Sequence, residues 1–272
     1  MKFKGFIGGS YKLSSPNFDR QRSVNLFPIF HEKGTGKESE VAMLVGTEGL
    51  REAFDLDSGE IRCIHRGRTG LIFVAAGDRM YLASRVDGVW GFEEIGELQS
   101  ETGIIIAASS FNEFSGTGIS CDAVFVDGVK CYAYARINLG DGTFTQFDVI
   151  EDITSPSLPY NPIDFASHVV WIDGYFIFND IRNGQFRVSD LNSGQVDPLS
   201  FATAEGDPDK GMSLEAKGRD LWIVSERSTE IWKNTGNPDF PFERVGGGFI
   251  EKGTMARYSV KVADDTVIWL GV

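Results

Sequence analysis

The chain has 272 residues, a formal net charge of −13 and 42% hydrophobic residues, with 21 Phe and 32 Gly. That is enough chain for one large all-β domain or two smaller ones. Cys63, Cys121 and Cys131 are an odd number without paired metal spacing, so no disulfide framework is indicated. No run approaches the ~18 apolar residues of a membrane span, and Met1–Gly9 lacks the apolar core of a secretory signal.

The charge is uneven. Residues 1–37 hold seven Lys/Arg and two acids, a net +5, which leaves 19 bases and 37 acids, or −18, on the remainder. So acidic a body repels nucleic-acid phosphates, which argues against sequence-specific DNA binding. The basic residues Lys2, Lys4, Lys12, Arg20 and Arg22 sit where an arm reaches an acidic partner, although a solvated tail has the same composition.

Residues 1–55 read as an N-terminal arm and lead-in. Gly8-Gly9-Ser10, Ser14–Asn17 and Gly34-Thr35-Gly36 are loops. Residues 23–28 form a short extended piece stopped by Pro28, 41–45 a strand, and Gly46–Leu50 a turn out of the lead-in.

From residue 56 to 272 the chain repeats. Five short apolar runs begin at Leu71, Ala123, Tyr175, Leu221 and Val267, separated by 52, 52, 46 and 46 residues. Each is too short for a buried helix, rich in β-branched or aromatic residues and bounded by Gly, Asp or Asn, as strands buried on both faces are. A recurrence of roughly 40–50 residues is that of a β-propeller blade of four strands. The apolar runs are then the second strands. First strands are expected at 61–66, 103–108, 167–172, 212–217 and 257–262, third strands at 79–84, 130–135, 185–190 and 229–234, and fourth strands at 89–94, 143–148, 195–201 and 240–245. The expectation is an all-β chain, a propeller of four complete four-stranded antiparallel blades and a partial fifth. Half a blade leaves an apolar sheet edge, so the chain is expected to be part of a longer protein; a four-bladed ring closed by the arm is the alternative. Residues 151–163, with three prolines, and 202–211 read as crossovers between blades.

Candidate chemistry is sparse. His31, His65 and His168 lie in different elements; Cys63 and His65 share one strand face, which makes a packed pair more than a metal site. No Gly-x-Ser-x-Gly elbow or phosphate-binding loop occurs, and Gly246-Gly247-Gly248 reads as a crossover. Glu205, Asp207 and Asp209 have a loose calcium-like spacing, interrupted by Pro208, and read as an exposed acidic turn. Asn138–Phe144 is loosely similar to a sialidase turn, once. No cofactor is expected, and paired carboxylates over a ring centre, which a glycosidase needs, stay open.

Several segments add a resemblance. Gly206-Asp207-Pro208-Asp209-Lys210-Gly211-Met212 is followed by Arg219–Val224, Ser228-Thr229-Glu230-Ile231-Trp232 and Ile250-Glu251-Lys252-Gly253-Thr254, with Arg22–Pro28 and Gly46-Thr47-x-Gly49-Leu50 near the start. This ordered set resembles the packaged-DNA stabilisation proteins of short-tailed phages, also called head-completion or tail-hub proteins. The resemblance implies a non-enzymatic virion protein at the head–tail junction, assembled in the host cytoplasm as a homo-oligomeric ring below the portal and its adaptor. It further implies closure of the DNA exit channel, DNA passing without sequence-specific binding, and a docking surface for tail needle and tailspikes. A carbohydrate-binding or glycan-cleaving propeller, and a protein-interaction scaffold, are the alternatives.

Overall fold

The computed structural model describes residues 26–30, 42–46, 49, 52–110, 119–137, 142–146, 163–192, 196–204, 206 and 209–271. The chain divides into two units, Met1–Asp55 and Leu56–Val272. In the first, β1 (Leu26–Phe30) pairs antiparallel with β2 (Ala42–Gly46), Phe27 opposite Val45.

The second unit contains four sheets of four antiparallel strands, each in simple sequence order, and a two-stranded sheet. The first is β3 (Ile61–Arg66), β4 (Ile72–Ala76), β5 (Arg79–Val86) and β6 (Val89–Glu97). The second is β7 (Ile106–Ser109), β8 (Ile119–Val126), β9 (Cys131–Ile137) and β10 (Gly142–Gln146). The third is β11 (Val169–Ile172), β12 (Tyr175–Asn179), β13 (Gln185–Val188) and β14 (Phe201–Thr203). The fourth is β15 (Gly211–Lys217), β16 (Asp220–Ser225), β17 (Thr229–Asn234) and β18 (Phe242–Ile250). A single helical turn, Arg257–Ser259, precedes the hairpin β19 (Lys261–Ala263) and β20 (Thr266–Ile268). No helix among the described residues is long and apolar enough to cross a membrane.

Every apolar run is the second strand of its sheet, as the repeat requires. Phe73, Val74, Ala123–Val126 and Phe176–Phe178 are buried because sheets pack on both of their faces. Side chains from successive sheets form three large apolar clusters and a smaller fourth one. Phe73 and Met80 meet Phe125 and Tyr134, Val124 and Val126 meet Phe176 and Phe178, and Ile177 and Phe186 meet Leu214, Leu221 and Ile223. First strands β3, β7, β11, β15 and β19 lie beside one another in series, so they are the inner strands.

Some strand ends differ from the sequence reading. The first strand of the second blade starts at Ile106 because Gly103 adopts φ +94° and the carbonyls of Thr102 and Gly103 accept from Arg62. The fourth strand of the third blade is Phe201–Thr203, because Asp197-Pro198 folds into a turn in which Asp197 accepts from the Leu199 amide. The fifth first strand begins with the helical turn, closed by Ser259 N–H on Ala256 O, and pairs only from Lys261. Gly246-Gly247-Gly248 is no crossover: it lies inside β18, where residues 245–248 bulge opposite Ile231 and Gly247 takes φ +77°. The crossover 151–163 falls outside the described residues but for Ile163.

The fourth apolar run is not uniform. Leu221 and Ile223 point into the large cluster shared with the third sheet, whereas Trp222 is half-buried and faces the two-stranded sheet, 6.5 Å from Trp269. The run alone reads as core throughout and puts Trp222→Ala at about 3–5 kcal/mol. The structure reverses that order. Leu221→Ala is expected to cost about 2–5 kcal/mol and Trp222→Ala about 1–2 kcal/mol, since part of its ring is already in water. Urea unfolding of the two variants beside the parent checks the ranking.

Candidate functional site

Simple sequential order in an antiparallel sheet puts the turn between second and third strands at the same end as the connection to the next sheet. At that end each turn is sewn to the neighbouring connection, and around the fourth sheet the residues behind the family resemblance do the sewing.

The densest such knot joins residues 206–211, 225–232 and 250–254. Asp209 is buried, not exposed, and its carboxylate accepts from the amides of Arg227 at 2.8 Å and Ser228 at 3.0 Å, closing the turn between β16 and β17. With that carboxylate in use, and no group of three or more His, Cys, Asp or Glu placed to hold a metal among the described residues, Asp209 is a turn lock. Glu205 and Asp207 lie outside the described residues.

Glu230 is 1% exposed and accepts from Gly206 N at 2.6 Å and Trp232 Nε1 at 2.8 Å, with Arg244 Nη1 3.5 Å away. A buried carboxylate persists only when its oxygens are paired in this way. Gly206 must be glycine, since a Cβ there would fall on the Phe249 ring and on Glu230 Oε1. Thr229 Oγ1 donates to Lys252 O at 2.7 Å, Thr254 N to Ser225 O at 2.9 Å, and Thr254 Oγ1 to Leu270 O at 2.7 Å. The Ser-Thr-Glu and Lys-Gly-Thr segments thus tie the fourth sheet to the two-stranded one.

Between the first and second sheets the same task falls to Arg62, which sequence periodicity does not single out. Arg62 is the extra residue of a bulge, skipped between the pairs Ile61–Ala76 and Cys63–Ala75. Its guanidinium donates to the carbonyls of Gly77, Ser100, Thr102 and Gly103 and to Ser100 Oγ. Asp127 completes the knot, accepting from Ser100 Oγ and from the amides of Val129 and Lys130. At the next junction Lys130 Nζ lies 2.6 Å from Asp164 Oδ2. Polar residues at turn-plus-connection positions, close to a Gly, are the only sequence signal for this pattern.

Of the candidate chemical residues, Cys63 and His65 do share a face, packed on the second sheet. Burial pushes the Cys63 thiol up to about 11 and the His65 imidazole down; His65 Nε2 lies 2.6 Å from Ser109 Oγ. Cys131 is buried and forms no disulfide. His168 is 2% exposed and stacks on Tyr258 at 5.3 Å. Asn179 Oδ1 accepts the amides of Ser167 and His168, which turns its Nδ2 toward Ser167 Oγ. Ser167 Oγ lies 2.9 Å from His168 Nδ1, within hydrogen-bond distance. Burial, helped by the Lys261 and Arg257 charges, lowers the His168 pKa to about 3. Fold stability from this neutral imidazole is complete above pH ~6.5, the unfolded value, and is lost as pH falls toward 3. From pH 6.5 to 5.5 the parent should lose about 1 kcal/mol through His168, and His168→Phe, which keeps the stack, should lose that much less. Urea unfolding at the two pH values checks it.

His31, Gly8–Ser10 and 138–141 of the sialidase-like turn lie outside the described residues. So do Lys2, Lys4, Lys12, Arg20 and Arg22. Arg62, a cation on an inner strand, is not arranged for sugar chemistry, because its five hydrogen bonds all go to its own fold.

Four-stranded blades whose turns and connections are locked by buried polar side chains define a structural β-propeller. The chain belongs to the family described as bacteriophage P22 Gp10, β-propeller, which matches residues 5–272; it is a structural phage protein. No curated protein sequence matches it. Among solved structures it is similar to the WD40 β-propeller domain of Doa1, at 11% identity over 64% of this chain and 52% of that one with a TM-score of 0.39. It is similar to YCF48 bound to D1 peptide at 12% identity over 80% and 60%, TM-score 0.41. For Kluyveromyces lactis Hsv2 the values are 11% identity over 92% and 79%, TM-score 0.41. The chain spans about half to three-fifths of the length of the first two of these.

Proposed function

We infer that the protein is a ring-forming hub of the phage head–tail junction that closes the DNA exit channel, stabilises the packaged genome and docks other tail components. Membership of the P22 Gp10 propeller family carries this reading. Two features support it. The buried carboxylates Asp209 and Glu230 are consumed by structural bonds. A body carrying −18 over residues 38–272 lets DNA slide past without adhering. In this role the ring contacts the portal or its adaptor on one side and tail needle and tailspikes on the other, within the virion.

The basic arm is the docking element in this reading, with Lys2, Lys4, Lys12, Arg20 and Arg22 meeting a neighbouring acidic subunit. Opposite charges at such a contact speed association and set register, and salt screens them. Deleting residues 1–22 removes all five and spares every blade strand. The truncated protein should keep the parent's unfolding midpoint while its co-sedimentation with DNA-filled heads falls at low ionic strength. Undiminished co-sedimentation rules out the arm as the docking element.

A further inference from the structure

The outer strand of the fourth sheet, β18, has β17 on one side and, among the described residues, no strand on the other. Its outward N–H and C=O groups are open to an added extended chain. Midway along this strand lies the bulge. The pairs Glu230–Phe249 and Trp232–Arg244 leave Val245–Gly248 opposite Ile231 alone. Those residues carry more backbone donors and acceptors than one partner residue can take.

A cleft of about 500 Å³ opens at the bulge, bounded by Gly206, Arg244, Phe249 and the glycine main chain. The charged group on its wall is Arg244, whose side chain is 47% exposed and stands 3.5 Å from Glu230 Oε1. Among the described residues the guanidinium makes no hydrogen bond, and the two Glu230 oxygens are already taken by Gly206 N and Trp232 Nε1. Buried Glu230 thus holds the cation in place without occupying its N–H donors, which are left for a ligand. The rest of the wall is largely bare main chain. A Cβ on Gly246 or Gly247 would meet nothing within 4 Å. Gly247 takes φ +77°, and left-handed residues are what bring successive N–H groups to one side in anion-binding concavities. Uncommitted guanidinium donors and bare main chain in one cleft suit a planar oxyanion held by two parallel bonds.

Two features select among oxyanions. The body is strongly acidic, −18 over residues 38–272, and Glu243 precedes Arg244 while Glu251 follows Ile250 in the chain. Phosphates and polyacidic segments, which carry several negative charges, are repelled by such surroundings more than a single carboxylate is. The open edge of β18 also offers main-chain hydrogen bonds that an extended peptide uses and a free anion does not. A peptide running along this edge loses its ladder where the bulge begins, so its end falls at the glycines.

We propose that this cleft captures the C-terminal carboxylate of an extended peptide, otherwise uncharged or basic, whose preceding residues add to the outer edge of β18. Arg244 pairs with the carboxylate, the glycine main chain lets it approach closely, and Phe249 gives the terminal side chain an apolar surface. The site needs neither a ring nor a head–tail junction, so it stands or falls separately from the function proposed above.

A library of random hexapeptides, presented once with free C termini and once as C-terminal amides, tests it against the full chain. The parent should retain free-acid peptides, and the affinity of the best of them should fall about tenfold or more on amidation. Arg244→Leu should lose the same factor. Gly246→Leu should lose it too, because its side chain enters open space at the cleft and leaves the Arg244–Glu230 pair in place; its thermal midpoint should stay near that of the parent. Inorganic phosphate should compete only weakly. Equal retention of acids and amides, no retained peptide, or parent-like affinity in Gly246→Leu overturns the proposal. Full displacement by phosphate at the concentration of the peptide also overturns it, in favour of a free anion.

Discussion

Arg62→Leu is expected to cost about 3–5 kcal/mol, because four carbonyls and one hydroxyl lose their donor together and stay largely out of water. The leucine matches the apolar volume but supplies no hydrogen. Arg62→Lys should recover only a part, since one ammonium on a flexible stem cannot reach carbonyls spread over Gly77, Ser100, Thr102 and Gly103. Guanidinium unfolding of the three proteins measures it. A loss for Arg62→Leu under about 1 kcal/mol would mean that the knot between the first two blades is not held by this side chain.

Gly253→Ala should be nearly as damaging, at about 2–4 kcal/mol, though it adds only a methyl group. A Cβ on Gly253 would sit inside van der Waals contact of Ser225 O, Arg227 N and Glu226 C, all of them backbone atoms. They cannot rotate away, and moving them pulls on the Thr254 N–H to Ser225 O bond and on the Asp209 lock. Thermal unfolding should show a lowered midpoint for Gly253→Ala, whereas Gly246→Ala, whose Cβ meets nothing within 4 Å, should hardly change it. Equal midpoints for the two variants would contradict the close approach.

The blades were readable from the sequence because a strand buried on both faces must be continuously apolar, and Phe125 or Phe176 tolerates no polar neighbour there. Hydrophobic period also located Ile61–Arg66 and Thr229–Asn234 to the residue. It failed where a bulge breaks the alternation. Nothing marks Arg62 within the first strand expected at 61–66, and one extra residue turns it inward. The glycines of β18 read as a crossover because nothing in Gly246-Gly247-Gly248 distinguishes a bulged edge strand from a loop. Trp222 misled for a different reason: an apolar run reports that its residues avoid water, not how many strands cover each face. Among the described residues, Trp222 packs with Trp269 beside the small cluster of Val224, Val260 and Val267.

The polar knots were half legible. The segments around Asp209, Glu230 and Gly253 stood out by resemblance, and their work in the fold explains why such residues occur in that order. Which carboxylate is buried did not follow from composition: Asp209 reads as an exposed turn residue, and only the folded chain brings the amides of Arg227 and Ser228 onto it.

The most direct test of the functional account is DNA retention by purified heads. DNA-filled heads lacking this protein would be incubated with the full chain or with buffer, and released DNA measured by nuclease sensitivity. Heads that receive the protein should keep their DNA protected while untreated heads leak, in proportion to the protein that co-sediments. Equal leakage with and without bound protein would contradict a role in closing the exit channel.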